Sequence, residues 1–195
     1  MLFDHLKNFQ IILASGSPRR QQFFKELGLD FEIRLKPVEE VYPKELRGAE
    51  ISDYLAVLKA APFKNELIEK EILITSDTVV WHNETSLAKP KDAKEAFKMI
   101  KALSDDWHEV ITSVCFTTSL TQKTEHHITR VKFKPLVEDE IWYYIKNYKP
   151  FDKAGGYGIQ EWIGLIGIEQ IEGSYANVVG LPTHIVYKTL MDMAN

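Results

Sequence analysis

The sequence predicts an α/β protein, and three observations carry that expectation. An apolar run at residues 11–14 ends in Ser15-Gly16-Ser17-Pro18, a second at residues 72–74 ends in Ser76-Asp77-Thr78, and stretches with helical periodicity alternate with them. Short apolar runs bounded by turn signals read as buried strands, and the apolar stripes between them read as helices.

The elements follow in order. After the run Ile11-Ile12-Leu13-Ala14, Ser17 is placed to cap a helix with Pro18 at its first position. That helix passes Phe23, Phe24 and Leu27 and ends at Gly28, and residues 31–35 alternate like a strand. From Ala49, the positions Ile51, Tyr54, Leu55 and Leu58 recur at helical spacing, with Lys59 roughly 80° from the centre of the stripe at ~100° per residue. Residues 72–74 form a strand that stops at Ser76-Asp77-Thr78 and resumes at Val79-Val80-Trp81. Lys89-Pro90-Lys91-Asp92 opens a helix with Ala93, Ala96, Phe97, Ile100 and Leu103 inward. Residues 109–118 and 124–133 read as the two strands of an antiparallel hairpin. A helix over residues 138–147, a glycine-rich segment and a last helix over residues 183–193 complete the chain. No repeat, low-complexity tract or Pro/Gly/Ser linker divides it.

With 195 residues, a net charge of −4, 45% apolar and 27% charged residues, the composition is that of an ordinary folded domain, not a disordered or fibrous chain. The acidic balance argues against a general nucleic-acid binder, which needs a surplus of cations to displace phosphate counterions. The one cysteine, Cys115, allows no internal disulfide, and the run at residues 11–14 is too short for a signal-peptide core or a membrane span. A cytoplasmic location is therefore expected. None of the six histidines stands at a zinc-ligand spacing, so an oxygen-held metal is expected if one is present.

Three segments carry chemistry. Arg19 and Arg20 follow Ser15-Gly16-Ser17-Pro18 at a helix start, where the positive end of the dipole disfavours them. A bound polyanion would account for both, through serine hydroxyls, backbone N–H groups and guanidinium groups; a solvated helix start paired with surface carboxylates is the plainer alternative. No Gly-Lys-Ser/Thr follows, which excludes a Walker loop, and the serines form no Gly-x-Ser-x-Gly elbow. Asp77, at the end of a strand, is placed to hold Mg²⁺ or orient a water; a local Asx-turn is the structural alternative. The third segment is Lys153-Ala154-Gly155-Gly156-Tyr157-Gly158-Ile159-Gln160. Its glycines permit close passage of the backbone against a ligand, with Gln160 reading a base edge, or else form a structural bulge. Tyr157 and Trp162 read as core residues, His126-His127 as an exposed strand pair, and Cys115 as a packed strand residue.

Taken together and in order, residues 13–20, Ser76-Asp77-Thr78-Val79-Val80, Lys89-Pro90, residues 152–160 and residues 172–182 resemble the Maf family of nucleoside triphosphate pyrophosphatases over about 170 residues. The resemblance implies a single domain over residues 1–195. Its fold would be an elongated, twisted mixed sheet flanked by helices, with two lobes and a central cleft, similar to inosine triphosphate pyrophosphatases. It also implies hydrolysis of the α–β phosphoanhydride of a nucleoside triphosphate with a divalent cation, Mg²⁺ or Mn²⁺. By the same likeness Asp77 matches the proton acceptor, and Arg19, Thr78 and Gln160 match positions linked to substrate choice. Glu40, Lys59 and Lys89 match further charged cleft residues, and Ser15, Ser17 and Arg20 match the phosphate loop; the mechanism expected from these matches has Asp77 and Glu40 hold the metal. The ending Gly-Tyr-Gly-Ile-Gln is similar to the subgroup acting on dTTP and UTP, with modified pyrimidine nucleotides as further candidates. Glu161 departs from the family pattern, which commonly has glycine after the glutamine. A homodimer is compatible with the resemblance; nucleic acid and membrane are not expected partners. The competing reading is a nucleotide-binding regulator of cell division without significant turnover.

Overall fold

The structure, a computed structural model, describes residues 2–194. Its elements run α1 (Leu2–His5), β1 (Gln10–Leu13), α2 (Pro18–Glu26), β2 (Phe31–Ile33), α3 (Ala49–Ala60), β3 (Glu71–His82), β4 (Thr85–Leu87), α4 (Ala93–Leu103), β5 (Trp107–Thr117) and β6 (Gln122–Phe133). They continue with α5 (Glu138–Tyr148), α6 (Trp162–Gly167), β7 (Ile168–Glu172), α7 (Tyr175–Val179) and α8 (Thr183–Ala194). The strands form a mixed sheet in the order β2-β1-β3-β5-β6-β7, with β4 paired to β3. β1 runs parallel to both β2 and β3, whereas β4 is antiparallel to β3 and β7 antiparallel to β6.

The chain divides into two compact units, one of Met1–Asp77, Thr112–His127 and Gly180–Asn195, the other of Thr78–Ile111 and Ile128–Val179. In the first unit β1 and the adjoining parts of β3 and β5 are covered on both faces, as buried parallel strands require. Side chains alternate along each strand, so Ile11, Leu13, Ile72, Ile74, Val114 and Phe116 share one face with Phe24 of α2 and Val186 and Leu190 of α8. On the other face Ile12, Leu73 and Cys115 pack with Ala56 and Ala60 of α3 and with Phe63. The second unit has its own core, in which Ala96, Ile100 and Leu103 of α4 meet Ile141, Tyr144 and Ile145 of α5 over Val80, Val110, Val131 and Phe133.

Local signals hold well at α2. Ser17 is the N-cap, its hydroxyl accepting from the Arg20 N–H, Pro18 is the first helical residue, and Gly28 follows the Leu27 C-cap at φ 69°. Asp92 caps α4 by accepting from the Glu95 N–H at 2.8 Å. β5 and β6 are neighbours in the sheet, joined by a turn over residues 118–121.

Two expectations need correction. Ser76-Asp77-Thr78 does not interrupt a strand: β3 is continuous from Glu71 to His82. The Thr75 hydroxyl donates to the Ala56 carbonyl at 2.6 Å and Asp77 accepts from Lys59, so these two side chains do not force the ladder to stop. In α3 the buried face is Ile51, Ser52, Leu55, Ala56 and Ala60, while Tyr54 is exposed. The small residues let the helix lie close to the sheet, and the stripe is rotated relative to the expected one.

Candidate active site

The site in the first unit begins with the turn between β1 and α2. Ser15 is buried; its hydroxyl accepts from the Ser17 N–H at 3.3 Å and its carbonyl from the Gln21 amide at 3.1 Å. This braces the turn so that Ser17 meets the first turn of α2, where Arg19 and Arg20 stand.

Arg20 does more than carry charge. Its Nε donates to the Gly180 carbonyl and its Nη1 to the Ser76 carbonyl, each at 2.8 Å. The guanidinium thus ties the start of α2 to β3 at the residue before Asp77. Burial pushes the Arg20 guanidinium below its ordinary value and neighbouring Arg19 pushes the same way, while Asp77 and Glu40 oppose the shift. The Ser76 hydroxyl is buried with no hydrogen-bond partner among the described residues; its carbonyl is the atom that serves this junction.

Asp77 is buried on β3. Lys59, from the last turn of α3, donates to Asp77 Oδ1 at 2.6 Å, and the same ammonium lies 3.2 Å from Glu40 Oε1. Position 59, at the edge of the buried face, is what allows a lysine stem to run along the protein and deliver its charge to the sheet. One ammonium therefore bridges two carboxylates, the Asp77 side chain 10% exposed and the Glu40 side chain 46% exposed.

Of the residues singled out by sequence, Ser15, Ser17, Arg19, Arg20, Glu40, Lys59 and Asp77 belong to the first unit, with Lys59, Asp77 and Glu40 in direct ionic contact. Thr78, Lys89 and Gln160 belong to the second. Thr78 is the next residue on β3, Lys89 is exposed after β4, and Gln160 is exposed after the glycine segment.

That segment uses its glycines for internal packing. A Cβ on Gly155, at φ 70°, would stand 3.0 Å from Val80 Cγ1, and one on Gly158 would stand 3.0 Å from both Lys153 Cε and Glu161 Cδ. Tyr157 is core, its hydroxyl 2.7 Å from His108 Nε2. Sequence reasoning missed Tyr144 and Lys153 as partners of this segment. Lys153 lies inside the quoted motif, but its carboxylate contacts come only with folding.

An open mixed sheet with a cation-bridged pair of carboxylates beside an arginine-bearing helix start defines an α/β protein with a charged site at β3. The chain belongs to the Maf family, whose model, described as Maf-like protein, matches residues 10–193. It is 61% identical over 195 residues, 100% of both chains, to a protein named dTTP/UTP pyrophosphatase in Christiangramia forsetii. A protein of the same name in Flavobacterium johnsoniae is 60% identical over 190 residues, 97% of this chain and 98% of that one. The solved dITP/XTP pyrophosphatase of Mycobacterium abscessus superposes with a TM-score of 0.47 at 12% identity, covering 95% of this chain and 96% of that one. That superposition is too loose to define the fold, which rests on the strand order described above.

Proposed function

We propose that this chain is a nucleoside triphosphate pyrophosphatase that hydrolyses dTTP and UTP to the monophosphate and pyrophosphate. The observation that carries this reading is identity of about 60% along the whole length to proteins of that name. The geometry supplies groups suited to the work. A triphosphate is a dense anion, and its hydrolysis is a matter of positioning and charge neutralisation. The N–H groups at the start of α2, with Ser15, Ser17 and Arg19, receive phosphate oxygens. Arg20 contributes charge while bracing the Ser76 carbonyl, and Lys59 and Lys89 add ammonium groups. Asp77 accepts the proton of the attacking water as the α–β anhydride opens; Lys59, on Oδ1, fixes the direction in which that carboxylate faces. Thr78 and Gln160 contact the nucleoside.

Asp77 and Glu40 fit a divalent cation, Mg²⁺ or Mn²⁺, because both are hard oxygen donors already gathered on one ammonium. No cluster of three or more His, Cys, Asp or Glu side chains suited to a metal occurs among the described residues, so substrate phosphates and water would complete the shell. Such an ion supplies neutralisation of phosphate charge. The enzyme acts on free nucleotides in the cytoplasm, and a homodimer is compatible with the family likeness. No described helix is long and apolar enough to cross a membrane.

The test is pyrophosphate release from dTTP and UTP with added Mg²⁺ or Mn²⁺, for the parent protein and for Asp77→Asn. Steady release by the parent is expected, with a loss of about 10²-fold or more in kcat for the folded variant. Near-normal kcat in Asp77→Asn eliminates that residue, and stoichiometric binding without product replaces the enzyme with a nucleotide sensor.

A further inference from the structure

Gln160 is the one exposed residue of a turn whose other parts are fastened. The Gly158 carbonyl accepts from the Glu161 N–H at 3.0 Å, which makes Gly158-Ile159-Gln160-Glu161 a closed β-turn. Gly158 and Ile159 are buried, Gln160 is exposed, and Glu161 is the N-cap of α6, its carbonyl accepting from the Gly164 N–H at 2.9 Å.

Both ends of this turn converge on one phenol. The Gly158 N–H donates to the Tyr144 hydroxyl at 3.0 Å, and that hydroxyl donates to Glu161 Oε2. The other oxygen, Glu161 Oε1, lies 3.0 Å from Lys153 Nζ, which also meets Asp152 Oδ1 at 2.7 Å. Burial and the Glu161 carboxylate push the Tyr144 phenol upward, so it remains a hydrogen-bond donor throughout the neutral range. Lys153 has a side chain only 9% exposed, and a buried ammonium needs carboxylate partners. Asp152, its other carboxylate, is 62% exposed and so more strongly solvated.

We infer that Glu161 is a positioning residue for base selection: with Tyr144 and Lys153 it presets the turn that presents Gln160 to the nucleoside. This rests on the reading of Gln160 as a nucleoside contact. A turn fixed before binding spares the substrate the cost of ordering it, so the brace acts on affinity and discrimination more than on the chemical step.

The experiment compares Glu161→Ala, Tyr144→Phe, Glu161→Gln and Gln160→Ala with the parent, each confirmed as folded by its melting transition. Kinetics are measured with dTTP, UTP, dATP and dGTP. For Glu161→Ala and Tyr144→Phe, KM for dTTP and UTP should rise roughly 3- to 10-fold with kcat within about twofold. The preference for pyrimidine over purine triphosphates should shrink in parallel. Glu161→Gln, which can still accept from Tyr144, should recover most of the selectivity. The double variant Glu161→Ala/Tyr144→Phe should be no worse than either single one, because both act through the same turn.

Unchanged KM and selectivity in folded Glu161→Ala and Tyr144→Phe, with Gln160→Ala impaired, overturns the brace while leaving the reading of Gln160 intact. Loss of kcat at constant KM overturns it as well. A silent Gln160→Ala overturns both.

Discussion

At residue scale, the ammonium of Lys59 is the pivot. It is held by Asp77 Oδ1 at 2.6 Å and Glu40 Oε1 at 3.2 Å, so its removal leaves two carboxylates facing each other with a buried member. Lys59→Met should lower kcat for dTTP by about 10²-fold, the scale of losing one preorganised charge at a reacting phosphate. Rapid-quench or steady-state pyrophosphate assays check this, and a variant retaining more than half of the parent's kcat would remove Lys59 from the machinery. Residue type alone did not mark this site: a lysine at the edge of a helical stripe and a carboxylate in a polar stretch after an apolar run are ordinary solvated features, and only their order with residues 13–20 and 152–160 singles them out. The second task of Arg20 was not legible. Its acceptors are the backbone carbonyls of Ser76 and Gly180, 56 and 160 positions away, and any residue type supplies such an acceptor.

At the scale of elements, α2 was readable because its signals are local. Ser17, Pro18 and Gly28 each act within a turn of their own position, and each occupies the place its chemistry suggests. Ser17→Ala removes the cap and should cost about 0.5–1 kcal/mol of stability, the lower part of the usual range, since the Arg20 N–H to Ser17 Oγ distance is 3.5 Å. Urea midpoints for parent and variant test this, and a change beyond about 2 kcal/mol would point to lost turn structure as well. β4, α6, β7 and α7 were not legible. At 3, 6, 5 and 5 residues they are shorter than the windows in which periodicity accumulates. Tertiary fit specifies α6 instead: a Cβ at Gly164 would lie 1.8 Å from the Ile159 carbonyl oxygen, so only glycine admits the preceding turn. The continuity of β3 through Asp77 is illegible for a related reason, because Lys59 and Ala56 satisfy Asp77 and Thr75 from another element.

At the scale of the whole molecule, acid sensitivity has an identifiable contributor. His108 is 2% exposed, and burial, aided by His82 and opposed by Asp106, pushes its imidazole down to about 3. Above the ordinary value of 6.5 the ring is neutral in both folded and unfolded chains. Between that value and about 3 the unfolded chain takes up a proton that the fold excludes, so stability falls as pH falls, by at most about 1.4 kcal/mol per pH unit. His108→Gln keeps a partner for the Tyr157 hydroxyl and does not titrate. It should therefore show a shallower decline of the urea midpoint than the parent between about pH 6 and 4, and equal slopes would disprove the buried neutral ring. Charge balance and the single cysteine were readable as totals; which histidine is enclosed depends on the core around Phe133 and Tyr157, where aromatic rings surround it.

The first unit draws on Met1–Asp77, Thr112–His127 and Gly180–Asn195, and its core includes Val186 and Leu190 from α8. A ribosome must therefore release the whole intervening chain before that interior can close. The nascent amino-terminal half waits with apolar faces uncovered, a period in which chaperones have something to hold. Shortening the chain at its carboxyl end would harm residues near the start of the sequence first, and a fragment cut after β3 would lack part of the very sheet that positions Asp77.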